Sequence, residues 1–358
     1  MKQILMQLWV FYWRVRRYIQ DHRVADRPRY EKFRFRFYEE LWRKTAKTIN
    51  KPIEDFGHGY FKIGDEKAAT FVLEAKVQLD DHLSLRMAGN KPLVHKILSD
   101  GNFPIQDYCE YSMTSLQKAF DFMQKKGGSC VIKPAAGSGA GNGVVTKITD
   151  YKRLRKASLW AATFSPRLLI EEEIPGDSYR LLYLNGKFLD AVRRDPPHVT
   201  GDGKHTIAEL MLQENADRLK GDSIKALSPL VVDYEAKLDL HKQGKKLSDR
   251  PAKGEKVRVK TVCNQNRYTE NESITKTVHP SIVEAGERIA DIFSLQLLGV
   301  DLITPDVTRP LEEVGGVINE INTNPGLHHH YLVKNQDSDI DIAGSIIQFI
   351  LNGKKNVS

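Results

Sequence analysis

VIKPAAGSGAGNGVV, residues Val131 to Val145, decides how the rest of the chain is read. A short apolar run delivers Lys133, a glycine-rich segment follows, and a second apolar run returns through Val144-Val145. Glycines turn sharply and can aim backbone N–H groups at an anion with no side chain in the way. Lys133 adds a mobile positive charge, so the segment suits a polyphosphate. A simple hairpin loop between two strands is the plain alternative. No Gly-Lys-Ser/Thr closes the stretch, so it is not a Walker A loop. A dinucleotide fingerprint is also excluded, because Val144-Val145 reads as a strand where a helix should begin.

Outward from this stretch, Leu116 to Met123 reads as a helix ended by Lys126-Gly127-Gly128, and Asp150 to Ala162 as another. Arg167 to Glu171 is an expected strand. It closes on Glu171, Glu172 and Glu173 and then Ile174-Pro175-Gly176-Asp177. Tyr179 to Leu184 and Lys187 to Arg193 flank Asn185-Gly186, the strongest short hairpin signal. Ile207 to Asn215 reads as helix, and Leu230 to Val259 as small strands and exposed turns. Pro280 to Leu298 carries a helical stripe through Ile282, Ala285, Ile289, Ile292 and Phe293. Two core strands, Val300 to Thr304 and Val317 to Asn322, precede a last helix over Ile340 to Phe349. Before the central stretch, Phe61 to Ile63 and Ala69 to Leu73 are expected strands, and Leu93 to Leu98 a short helix.

Residues two apart in a strand point the same way, so Glu320 and Asn322 can face one ion together, with Asp301 on a neighbouring strand. Three hard oxygen ligands suit Mg²⁺ or Mn²⁺ bridged by phosphates. The alternative is an Asx turn before Asn324-Pro325-Gly326 with Glu320 simply paired.

The 358 residues predict two or three compact units. Cys109, Cys130 and Cys263 offer neither a disulfide framework nor metal spacing, which fits reducing, cytoplasmic conditions. No stretch reads as a membrane span, and Met1 to Trp13 does not read as a signal peptide. The net charge of +8 is concentrated at the start: residues 1 to 50 hold 13 Lys or Arg against 5 Asp or Glu, and the rest balance at 41 against 41. That distribution argues against nucleic acid as partner. Ile4, Leu8, Tyr12, Val15 and Ile19 form a helical stripe, expected to pack on the body or on a second subunit with Arg14, Arg16 and Arg17 outside the contact. A membrane-surface helix is the other reading of that basic aromatic segment. Arg27-Pro28 interrupts it, and Phe33, Phe37 and Leu41 mark a second helix.

Four segments together, VIKPAAGSGAGNGVV, LLIEEEIPGDSYRLL, DAVRRDPPHVTGDGKHT and GGVINEINTNPGLHHHY, resemble the ATP-grasp superfamily. Their order and character look most like the ATP-grasp part of cyanophycin synthetase, and are similar to the glutathione-synthetase and D-alanine–D-alanine ligase branches. The resemblance runs from about Gly57 to Tyr331. It implies an α+β / α/β ATP-grasp fold. The helical basic N-terminal extension would span residues 1–50, a small α/β part 51–128, one ATP-gripping lobe 129–178 and the other 179–350. The Mur-ligase-like half of cyanophycin synthetases finds no counterpart before Ser358, so iterative polymer synthesis of that type is not expected.

What the resemblance implies can be placed residue by residue. Lys133 resembles the lysine at the ATP phosphates, and Ser138, Gly139, Gly141 and Gly143 the loop that covers them. Lys96 resembles an earlier phosphate-contacting lysine, with Lys91 as its rival. Glu171, Glu172, Glu173 and Ile174 resemble the hinge that hydrogen-bonds adenine, and Asp177 or Ser178 would reach the ribose. Arg193 and Arg194 resemble arginines at the transferred phosphate or the acceptor carboxylate. Strand alternation lets at most one of that pair face it. Asp301, Glu320 and Asn322 resemble the ligands of two Mg²⁺ or Mn²⁺ ions. His198, His205, His328, His329 and His330 are read as binding or structural residues. The implied reaction joins an amino acid or short peptide carboxylate to an amine through an acylphosphate, forming ADP and phosphate. A kinase on a small substrate and a non-catalytic ATP-binding scaffold are the rival readings. A homo-oligomer through the N-terminal helices is a further expectation.

Overall fold

The computed structural model describes residues 2–19, 27–136, 141–220, 223–263, 265–335 and 340–355, with backbone alone at 2–5, 27 and 354–355. Ser138 and Gly139 therefore lie outside the described residues. The architecture is mixed, with helices packed on antiparallel sheets. Ile53–Asp55, Tyr60–Gly64, Ala69–Leu73 and Lys76–Val77 form a meander. Cys130–Pro134 and Val145–Ile148 flank the glycine segment and pair antiparallel, the hairpin that Val144-Val145 foretells. Their sheet runs Tyr108–Ser112, Arg167–Glu172, Cys130–Pro134, Val145–Ile148. It thus draws Tyr108–Ser112 out of the 51–128 segment and into register with Arg167–Glu172.

A five-stranded sheet has the order Asn271–Ser273, Lys187–Arg194, Asp177–Leu184, Leu297–Thr304, Val317–Asn322. Asn185 and Gly186 both take positive φ, 52° and 68°, at its tight hairpin. Alternation gives this sheet two characters. Leu181, Tyr183, Leu298, Val300, Leu302 and Ile318 join a buried apolar cluster with Ile282, Ile289 and Phe293 of helix Pro280–Phe293. On the other face Leu182 and Leu297 meet a second cluster. It is built from helix Arg27–Thr48, the meander and helix Ile342–Lys355. That second face also carries Arg180, Asp301 and Glu320, in register across three strands.

Three sequence expectations change. The helix from Pro280 ends at Phe293, because Ser294 takes left-handed φ of 50°, and Leu297 already begins a strand. Within Leu230 to Val259 lies a helix, Tyr234–Lys242, capped by Asp233. Its buried side carries Glu235 and Asp239 beside Ala236 and Leu240, so no apolar stripe announces it. Lys260 and Arg258 neutralise those acids. The third change concerns helix Lys2–Ile19. Val10 and Trp13 pack on the body, Trp13 edge-on to Trp160 at 6.2 Å. Arg17 lies over the Phe164 ring at 4.0 Å and donates to the Thr163 carbonyl, as Arg14 does. Leu8, Tyr12, Val15 and Ile19 face outward. Apolar residues surround so much of this helix that spacing alone could not say which side docks.

Helix Pro280–Phe293 touches the sheet through Gly286. A Cβ there would fall 2.0 Å from Cζ of the fully buried Tyr183. In an exposed helix, Gly→Ala stabilises by about 1 kcal/mol. Here overpacking dominates, so Gly286→Ala should destabilise by about 1–3 kcal/mol in urea melts. A gain in stability would refute this packing.

Candidate active site

Two ionic clusters are built where the sheets approach one helix. The first is centred on Glu171. Leu168 and Ile170 point into the apolar core, so alternation sends Leu169 and Glu171 the other way. Val131 is directly opposite Glu171, which makes Lys133 its diagonal neighbour. Lys133 Nζ lies 2.7 Å from Glu171 Oε1, and His95 Nε2 lies 2.9 Å from the same oxygen. Gln106 Nε2 donates to Glu171 Oε2 at 3.2 Å and to Asn319 Oδ1 at 3.1 Å. Burial would raise the Glu171 carboxyl, but the Lys133 charge and the His95 contacts outweigh it and hold it down at about 2.

The second cluster is centred on Asp301. Arg180 Nε donates to Asp301 Oδ1 at 2.7 Å and Arg180 Nη2 to Oδ2 at 2.8 Å, a bidentate pair. Arg194 Nη2 donates to Oδ2 at 2.9 Å and to Ser178 Oγ at 3.2 Å. All three charged side chains are buried. Burial pushes the Asp301 carboxyl up, and Arg180 and Arg194 overcome it, holding the carboxyl well below the usual range. Arg193 turns away, to Asp195 at 3.0 Å and Glu272 at 3.0 Å. Alternation thus separates the two arginines. Arg180 was not foreseen, although an arginine inside the apolar run Tyr179 to Leu184 was a visible signal: a charge in a buried strand needs a partner.

Glu320 stands opposite Asp301, and Asn322 opposite Gly299. A Cβ on Gly299 would meet Pro325 Cβ at 3.0 Å and Asn322 Cβ at 3.3 Å, so the bare position lets that loop fold down. Asp301, Glu320 and Asn322 share one sheet face and offer only oxygen donors, which fits Mg²⁺ or Mn²⁺. Asp301 already accepts three guanidinium bonds, so Glu320 and Asn322 are the less committed donors. Arg194 Nε, Asn322 Nδ2 and His95 Nδ1 are buried without a hydrogen-bond partner among the described residues. Such orphaned atoms are what a polar ligand would satisfy. Among the described residues, no three His, Cys, Asp or Glu side chains converge as a metal cluster, the His328–His330 run included.

Helix Lys91–Asp100 joins the clusters. Lys91 pairs with Glu320, and His95, one turn on, with Glu171. Lys96 lies 100° further round, exposed, and pairs with Asp100. Of the two rival lysines, the one beside the carboxylates is therefore Lys91. Glu172 accepts from Lys126, while Glu173 accepts from Ser129 and the Lys147 N–H. Ile174 is partly buried, and Asp177 is exposed at the start of its strand. Gly141 and Gly143 take φ of 66° and 82°, left-handed values that suit glycine. His198 pairs with Glu270, His205 with Asp202 and His330 with the buried Asp190. Tyr38 Oη lies 2.9 Å from His328 Nδ1.

Two outcomes follow from the ionic clusters. Arg180→Ala leaves Asp301 buried with one cation fewer and should cost about 3–5 kcal/mol. Arg193→Ala, at a half-exposed pair, should cost at most about 1 kcal/mol. Urea melts of the two variants distinguish them, and equal losses would contradict the assignment. The folded pKa of Glu171 is depressed, so its contribution is present above the unfolded value of about 4.3 and disappears as pH falls towards about 2. Glu171→Gln should therefore flatten the acid limb of stability against pH in that window. An unchanged limb would show that Glu171 is not so held.

No protein-family profile matches the chain. It is 33% identical over 252 residues to a cyanophycin synthetase of Crocosphaera subtropica, covering 69% of this chain and 29% of that protein. It is 30% identical over 299 residues to the glutathione biosynthesis bifunctional protein GshAB of Streptococcus thermophilus, covering 81% and 39%. The chain thus spans well under half the length of these relatives. Among solved structures, a bifunctional glutathione synthetase from Pasteurella multocida superposes with a TM-score of 0.53 at 22% identity, over 85% of this chain and 41% of that one. With these relatives and that shared fold, the chain belongs to the ATP-grasp superfamily.

Proposed function

We propose that this protein is an ATP-dependent carboxylate–amine ligase, joining an amino-acid-like or short-peptide carboxylate to an amine through an acylphosphate. One observation carries the reading: Arg180, Arg194, Asp301, Glu320 and Asn322 share a single sheet face, and one helix ties that face to Lys133 and Glu171. This places cations and hard oxygen donors together, the arrangement that a polyphosphate and a carboxylate both require.

Lys133, held by Glu171, is a fixed charge for the phosphates beside the glycine loop. Gly141, Gly143, Ser138 and Gly139 would supply backbone and hydroxyl donors there, and Glu172 to Ile174 with Asp177 or Ser178 the nucleoside contacts. Lys91 is the second phosphate lysine in preference to Lys96, because it reaches the carboxylate face. Arg194, oriented by Asp301, presents its unpaired Nε to the transferred phosphoryl or the acceptor carboxylate. Arg193 braces the neighbouring Asp195 and Glu272. Glu320 and Asn322 would hold magnesium or manganese, with Asp301 contributing as its arginines turn to the phosphates. The metal when bound neutralises phosphate charge.

The direct test is ADP release with pairs of amino acids, followed by product mass. An amide that appears only with both substrates supports the ligase. Phosphorylation of one substrate without amine would identify a kinase instead, and ATP binding without turnover a scaffold. Glu320→Gln should lower turnover at least about a hundredfold at low magnesium and recover in part as magnesium rises. Full activity across the titration would remove Glu320 from the site.

A further inference from the structure

Helix Lys2–Ile19 docks by one side only. Val10, Trp13 and Arg17 face helix Tyr151–Ala161 and the turn at Thr163. Its outer side presents Leu8 at 59% exposure, Phe11 at 65% and Tyr12 at 50%, with Trp9, Val15 and Ile19 also exposed. Spacings of three and four put Leu8, Phe11, Tyr12, Val15 and Ile19 on one continuous strip. Scattered apolar residues are normal on a surface, but a strip of this extent marks an interaction face.

The two helices that pack together here carry charge of one sign, with Asp150 capping the second. Helix Lys2–Ile19 holds Lys2, Arg14, Arg16 and Arg17 and no Asp or Glu. Helix Tyr151–Ala161, on which it packs, holds Lys152, Arg153, Arg155 and Lys156 and again no acid. Arg14, Arg16, Arg155 and Lys156 are exposed. The Arg16 guanidinium lies 5.8 Å from the Tyr12 ring centroid and donates to Tyr12 Oη at 3.5 Å, exposed at the border of the apolar strip.

We propose that this face is an interfacial helix that seats on an anionic lipid surface. Its aromatic and aliphatic strip lies at the headgroup–acyl boundary, and its exposed Arg14 and Arg16 lie among the phosphates. A second copy of the chain is a poorer occupant: two such helices face to face would oppose cation to cation with no acidic residue on either to offset them. An anionic bilayer supplies the missing opposite charge. Among the described residues no helix is long and apolar enough to cross a membrane, so the contact is one of lying on the surface. The proposal is independent of the ligase reading, since none of these residues belongs to the two ionic clusters.

The test is flotation of the full chain with vesicles of phosphatidylcholine alone and of phosphatidylcholine with equimolar phosphatidylglycerol. We expect binding to the mixed vesicles, a blue shift of tryptophan fluorescence on binding, and loss of binding at high salt. The double variant Leu8→Asp, Phe11→Asp should bind at least about tenfold more weakly. Both sites are exposed, so its melting curve should match the parent's. Equal binding to both vesicle types, or an undiminished affinity in the double variant, would overturn the proposal. So would absence of binding. In that case a dimer seen by light scattering and dissolved by the same double variant would assign the strip to a second copy.

Discussion

The Asp301 carboxylate, clamped between Arg180 and Arg194, is the interaction on which the second face of the five-stranded sheet depends. Three adjacent strands contribute those residues, and removing the acid would leave two buried guanidinium groups without their counter-charge. The pairing also fixes the geometry of the candidate site: Glu320 stands opposite Asp301 and alternation brings Asn322 to the same face, while the irregularity between Asp301 and Leu302 turns Ile318 to the apolar face. A one-residue slip would send Glu320 and Asn322 into the apolar cluster of Leu181 and Val300. The buried charges thus act against alternative registers as well as lining the proposed site.

Much of this was legible in the sequence where local chemistry dictates local structure. Asn185-Gly186 specifies its hairpin by backbone conformation, and the glycine stretch with Lys133 at its mouth reads as two strands and a loop. What escaped depends on partners distant along the chain. Arg180 sits 121 residues from Asp301, and His95 76 residues from Glu171. Helix Tyr234–Lys242 was hidden because Glu235 and Asp239 occupy buried positions that apolar residues usually fill. Of three consecutive acids, only Glu171 is buried. Alternation points it to the Lys133 side of the sheet, while Glu172 meets Lys126 and Glu173 meets Ser129 and the Lys147 backbone. The face on which helix Lys2–Ile19 docks could not be read from spacing, because an arginine, Arg17, belongs to the contact and a row of apolar residues does not.

The mixed character of the site's charges has a thermodynamic meaning. Lys133, Lys91, Arg180 and Arg194 are each already matched to a carboxylate. An anion that binds there meets cations already shared with Glu171, Glu320 and Asp301, so its gain rests on the donors still free, such as Arg194 Nε, and on how far those ion pairs yield. Such a site discriminates by geometry more than by charge.

Helix Lys91–Asp100 then acts as a strut. Lys91 and His95 are four residues apart, about 6 Å along the axis, and each is pinned to a different sheet. An α-helix does not stretch by this distance without losing its own hydrogen bonds. If either sheet tilts by more than a hydrogen bond can follow, the strut must roll or one pin must release. The two sheets are therefore linked through the five residues from Lys91 to His95, so the positions of Glu320 and Glu171 are set by one short piece of helix.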